Sequence, residues 1–398
     1  LTGAPAGGVA VGQPSFTLPI DGTGFTTSSV ATWNGARRPT TYVSASRIVA
    51  TVDAVDLSAP GQFTIGVADT TDNCPGAGAL PFGVLAVGAP TSSNLKAIQT
   101  WSTALLWHAG LGRLLVASRS GDLTRGYLFA VDPVTGRATD SIFVDPEPGR
   151  MTMTDDGKYL FIQTRALDSP QIVKRVQISP FAVVSQFSVP SNVVGLAALP
   201  GSSTSVAVAD VSHITIYDDG VARPVAQGGG LFIAFGDAGR LYGLANGITP
   251  STLTTNLVAS DGVRAQQGGI DDYFASSNTS MLYRAGRLYL TSGYVLTGDR
   301  MDQVVGYIGR TATDWSVKTE DALAVDDRRG RAYEIHNGTL TAWDLNTFQA
   351  LGSVKAAPAP PYPAALVFLP QAVRWGTDGL AYNDIGWLYM FRSPLVAP

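Results

Sequence analysis

One pattern recurs seven times between residues 107 and 382 and constrains the fold more than any other feature. Each copy is an apolar strand, a tight polar turn ending in glycine, and a second strand rich in aromatic or branched residues. The copies are Trp107–Val116 (WHAGLGRLLV), Thr154–Ile162 (TDDGKYLFI), Leu199–Val208 (LPGSSTSVAV), Phe235–Gly243 (FGDAGRLYG), Tyr283–Leu290 (YRAGRLYL), Val325–Tyr333 (VDDRRGRAY) and Trp375–Tyr382 (WGTDGLAY). Such a hairpin is apolar on both faces and cannot bury itself alone, so it must stack between neighbours. The spacing of roughly 35–50 residues is that of a β-propeller blade.

Within one copy four strands can be traced: Arg150–Thr154, Tyr159–Gln163, Ile172–Ile178 and Val183–Val189. The first two read as inner strands packed between blades. The last two alternate, as outer strands do. The last copy supplies Val373–Trp375, Leu380–Tyr382 and Trp387–Phe391, then ends without a fourth strand. Residues 94–101 (NLKAIQTW) precede the first full copy and fit that vacancy. Closure of this kind pairs the two ends of the ring and removes an exposed edge.

Residues 1–86 follow a different rhythm. Phe16–Ile20, Val30–Trp33, Thr40–Val43, Arg47–Val52 and Gln62–Val67 read as short strands, with Asn34-Gly35 a hairpin turn between two of them. So many strands in so short a stretch make a sandwich, joined to the propeller by a linker at 87–93. Abundant Gly (44) and Pro (24) with only 15% charged residues suits an all-β chain of many turns.

Several of these strings resemble a known family. FTLPIDGTGF (16–25), VATWNG (30–35), TYVSASRIVATV (41–52) and PGQFTIGV (60–67) are similar to the strand and hairpin signatures of IPT/TIG domains. That resemblance implies an immunoglobulin-like sandwich used as a spacer or contact module on bacterial extracellular proteins, with no chemistry of its own. The Asp132–Gly136 and Asp344–Phe348 turns resemble those of YVTN-type and quinoprotein-like propellers, which bears on fold only. The expected architecture is therefore an Ig-like β-sandwich plus a seven-bladed β-propeller, residues 94–398.

Composition excludes some functions. A net charge of −4 argues against a nucleic-acid footprint, which needs a dense basic patch. No run of eighteen apolar residues offers a membrane span. The chain opens on Leu1 without Met, which reads as a mature chain whose leader is gone and points to a secreted or cell-surface protein, the periplasm being the other compartment. The one cysteine, Cys74, rules out an internal disulfide framework. It reads as a free loop thiol or, more sharply, as a point of intermolecular bridging.

Catalytic constellations were sought among the three histidines and the carboxylate pairs. His108, His213 and His336 read as surface or strand-end residues. Asp155-Asp156, Asp218-Asp219 and Asp326-Asp327 read as turn caps. Gln227–Gly230 and Gln267–Gly269 read as turns between blades. No nucleotide loop, calcium loop or protein-ligated metal cluster is recognisable, and no cofactor is expected. One end of the channel is different. There the connections into each inner strand meet those between second and third strands, and they carry Asp122, Arg125, Glu147, Arg150, Arg165, Asp168, Asp271, Asp272, Tyr273, Asp299, Arg300, Asp302 and Asp321. Mixed charge with tyrosine around a funnel reads as a binding mouth, and equally as a solvated loop face.

The leading functional expectation is a non-enzymatic interaction or structural protein: an adhesin, a matrix component or an appendage subunit, with a protein partner or self-association. The alternatives are a glycan or small-ligand binder at the funnel, and a propeller enzyme of lactonase, lyase or quinoprotein type.

Overall fold

The computed structural model describes residues 1, 8–10, 15–59, 61–71, 78–85, 87–88, 95–120, 124–165, 170–190, 192–210, 212–245, 252–266, 270–271, 279–298, 304–308, 322–336, 338–356, 371–384 and 386–397. Seven sheets of four antiparallel strands follow the seven sequence copies. Blade one is Trp101–His108, Arg113–Arg119, Gly126–Asp132 and Arg137–Phe143, and blade two is Glu147–Met153, Tyr159–Arg165, Gln171–Gln177 and Ala182–Val189. Blade three runs from Gly195–Ala198 to Val221–Ala222, and blade four from Phe232–Asp237 to Gly262–Ala265. Blade five runs from Met281–Arg284 to Val304–Tyr307, and blade six from Ala322–Asp326 to Ala350–Lys355. Blade seven is Ala372–Trp375, Gly379–Asp384 and Trp387–Arg392, with Lys96–Gln99 as its outermost strand. Lys96 pairs with Met390 and Gln99 with Trp387, so the ring is closed by a strand from before its first blade.

Why the blades form a ring is visible in their side chains. Alternation along the second strand of blade one sends Leu115 and Ala117 toward blade two, and Leu114 and Val116 toward blade seven. In blade two, Leu160 and Ile162 face blade one while Phe161 faces blade three. The same division continues through each following pair of blades. Seven separate cores result, one per junction, the last joining blade seven to blade one. Every inner hairpin is thus buried on both faces, which is why its sequence shows no polar alternation.

Carboxylate turns tie the blades at the end opposite the candidate mouth. Asp156 accepts from Lys158 N (3.0 Å) inside its own turn, while Asp155 accepts from Gly201 N (2.8 Å) of blade three. Asp218 takes two bonds from Arg223 (2.7 and 2.9 Å), and Arg223 also donates to Ala259 O (2.7 Å) of blade four. Asp326 pairs with Arg374 of blade seven. His108 spans blades one and two, donating from Nε2 to Gly157 O (2.7 Å) and accepting Leu111 N at Nδ1 (3.0 Å). Both ring nitrogens are used, which fits the neutral tautomer and a structural role.

The N-terminal residues form two sheets around one core. Phe16–Asp21, Arg47–Val52 and Thr40–Ser44 make one; Gly8–Ala10, Leu80–Leu85, Gly61–Asp69, Ser29–Trp33 and Ala36–Arg37 make the other. Leu18, Ile20, Ile48, Ala31, Trp33 and Ile65 fill the space between them. Asn34 (φ 49°) and Gly35 (φ 81°) are both left-handed, as a two-residue hairpin of primed type requires. Beyond this unit, Val87–Gly88 pairs in parallel with Ser353 and Val354 on the outer strand of blade six. The first two residues of the expected linker are thus part of a blade, because an open strand edge accepts an extended segment running past it. Among the described residues, no helix is long and apolar enough to cross a membrane.

Candidate binding site at one end of the channel

The two ends of the ring differ in the length of their connections. At one end, first and second strands are joined by short turns such as 154–158 and 285–286. At the other lie the connections into the inner strands of blades five, six and seven, which are long in sequence, at 266–280, 308–321 and 356–371. A side chain that reaches the channel from an inner strand near this end lies at the candidate mouth.

Arg150 does so because its strand is bulged. Pro148 pairs with Thr164 and Met151 with Ile162, so Gly149 and Arg150 together oppose Gln163. The Gln163 side chain occupies the space a Cβ at Gly149 would need (1.9 Å from Oε1), so a larger residue there would displace the Gln163 amide. Gln163 Oε1 accepts the Arg150 N–H (3.3 Å) and holds the bulge. The Arg150 side chain then passes blade three, where Nε donates to Val194 O (3.2 Å). Its guanidinium ends over the Phe232 ring of blade four, 4.6 Å from the centroid. Burial pulls its pKa down to about 10, still well above neutral, so it carries a full positive charge there.

A buried ion pair lies on the opposite side of blade two, toward blade one. Lys174 Nζ meets Asp145 Oδ2 at 2.8 Å, and Thr164 Oγ1 donates to the same oxygen (3.0 Å). Lys174 is only 8% exposed, so this charge depends on its partner. Asp145 is left-handed (φ 95°) in the connection from blade one to blade two, and its carbonyl lies where a Cβ at Gly126 would stand. Neither residue is singled out by the sequence. The pair's one signal is a lysine on the face of the third strand that also carries Val176.

The other expected mouth residues are placed as follows. Arg165 is exposed at the end of its strand, 4.0 Å from Glu147, a marginal surface pair. Arg125 exchanges backbone contacts with Ser120. Asp271 lies in the short strand Ile270–Asp271 beside Thr252 and Leu253, on the outer side of the third strand of blade four. Its backbone is therefore not at the channel wall with Arg150; it lies in the outer row of blade four, on the same side of the third strand as Gly262–Ala265. Asp122, Asp168, Asp272, Tyr273, Asp299, Arg300, Asp302 and Asp321 lie outside the described residues, as does Cys74. Among the described residues, no three His, Cys, Asp or Glu side chains come together as a metal site would need.

No protein-family model matches the chain, and no curated protein matches it. Solved structures do. The β-propeller domain of Cps50 (Swd1) from Myceliophteria thermophila is similar with a TM-score of 0.57 at 10% identity, covering 75% of this chain and 99% of that one. Kuenenia stuttgartiensis hydrazine synthase is similar with a TM-score of 0.52 at 13% identity, covering 77% of this chain and 100% of that one. At these identities the likeness shows the fold alone: the chain contains a β-propeller.

Proposed function

We propose that this chain is a secreted, non-enzymatic interaction or structural protein of the bacterial exterior. In this reading an IPT/TIG-like module serves as spacer and the propeller as contact body. The observation that carries it is the outer edge of blade two. The strand Ala182–Val189 (AVVSQFSV) has no charged residue, exposes Val183 and Val184, and has an unpaired outer edge among the described residues. Four other blades guard that edge, and in blade five the outer strand Val304–Tyr307, uncharged as well, has only four residues. Blade six is covered by Val87–Gly88, blades one and four carry Arg137, Asp140 and Arg264 on theirs, and blade three ends in a strand of two residues. A long, uncharged, apolar edge is a template for an extended strand of another polypeptide. Light scattering after size exclusion, with electron microscopy of the purified protein, tests the reading. Assembly or a stable partner is the expected result; a strict monomer with no partner overturns it.

A further inference from the structure

Arg150 brings to the channel end a charge that no described residue balances. Blades two and four are not neighbours, so Arg150 reaches Phe232 by running past the inner strand of blade three, where its Nε is held by Val194 O. The other arginines of the inner strands are engaged elsewhere: Arg374 pairs with Asp326, and Arg284, the last residue of its strand, donates to Tyr283 O. Arg150 has no carboxylate partner among the described residues. Among the described residues only its Nε is hydrogen-bonded, and the two terminal nitrogens are neither bonded nor among the sealed-off polar atoms. The guanidinium is thus fixed at Nε, stacked on an aromatic plane, and presents its free edge to the channel.

We propose that this channel end binds the carboxylate of a small organic acid with an apolar body, received by the terminal nitrogens of Arg150. The inference rests on reading this end as a binding mouth, and is independent of the interaction proposed above. Three features select the class. A planar fork of two N–H donors matches the two oxygens of a carboxylate. One guanidinium balances one negative charge, whereas a phosphate dianion would bring an uncompensated charge into a poorly solvated place. Phe232, which is only partly buried, offers an apolar surface to the rest of the ligand.

Benzoate is a suitable probe, with benzamide as its uncharged counterpart, read by saturation-transfer NMR and calorimetry on the full chain. Saturable benzoate binding is expected, with little for benzamide. Arg150→Gln should weaken benzoate at least tenfold. Arg150→Lys keeps the stem and the charge but loses the fork, and should weaken it severalfold; it also provides a folded comparison should the Gln variant not fold. Absent benzoate binding, equal binding of benzoate and benzamide, or unchanged affinity in a folded Arg150 variant would each overturn the proposal. None of these outcomes bears on assembly through blade two.

Discussion

At the scale of single residues, the charges sort into those the fold consumes and those it leaves free. Lys174 and Asp145 are consumed, since Lys174 is buried, Asp145 is largely covered, and each answers the other. Removing one partner leaves an uncompensated charge at a blade junction. Asp145→Ala should therefore cost about 3 kcal/mol, at the lower end of the range for breaking a buried pair. The double variant Asp145→Ala with Lys174→Met should recover much of the loss, and denaturant unfolding of the three proteins would show it. Arg223 holds the Asp218 carboxyl below the usual carboxylate range, and Arg38 does the same for Asp56 in the N-terminal unit. A carboxyl lowered in the folded state binds fewer protons than in the unfolded one, so its contribution is full above the ordinary value of about 4. That contribution fades as pH falls through the lower, folded value. Unfolding midpoints should drop steeply below about pH 4, and Asp218→Asn should flatten the drop. A midpoint unchanged between pH 7 and pH 3 would contradict this. Arg150 could be named from the sequence, but its crossing to blade four could not. That path depends on a bulge set jointly by Gly149 and Gln163, and no spacing rule exposes such a pairing.

At the scale of elements, what was legible follows from burial. The inner hairpins read clearly because both faces are buried, which leaves long apolar runs around a polar turn. Lys174 did not, because a third strand is half-polar anyway and one lysine there looks like a solvated residue. The outer row of blade four was also illegible. Gly262–Ala265 and Ile270–Asp271 both pair with Thr252–Ala259, yet a glycine-rich stretch of sequence separates them, so Asp271 reads as the start of a new blade. The closing strand matters most mechanically. Lys96–Gln99 alone covers the edge of Trp387–Arg392, and the Asn383, Gln371 and Ser102 network reinforces the same seam: Asn383 Oδ1 accepts Gln371 N (2.7 Å), and Gln371 Oε1 accepts Leu105 N (2.8 Å). Ala97→Pro breaks the ladder at its centre, since proline distorts or deletes a rung. Thermal unfolding should come several degrees earlier than in the wild type, and exchange of backbone amides should quicken in residues 387–392. Unchanged protection there would mean that side-chain packing at the seam closes the ring without the strand.

At the scale of the whole molecule, the question is which surface the ring offers to others. Its core is divided into seven junctions of similar kind, so no junction is spare, and contacts with partners must come from the ends or the outer wall. The end bearing Arg150 suits a small ligand. The wall suits a strand, and the molecule already shows the mode twice on itself: Lys96–Gln99 adds to blade seven and Val87–Gly88 to blade six. Blade two is the long edge left bare. Val184 is 43% exposed there, so replacing it with lysine touches little of the core, and the isolated chain should keep its melting point, as surface changes usually stay within about 0.5 kcal/mol. Lysine is also the side chain that natural edge strands use to refuse a neighbour. If blade two docks another strand, Val184→Lys should dissolve the assembly or release the partner while the circular-dichroism melt stays in place. Val221→Lys, on the two-residue edge of blade three, is the matched control, because Val221 is more exposed (72%) but its strand is too short to template pairing. Assembly that survives Val184→Lys but fails with Val221→Lys would move the interface off blade two. Loss with Val184→Lys alone would fix the interface on that edge.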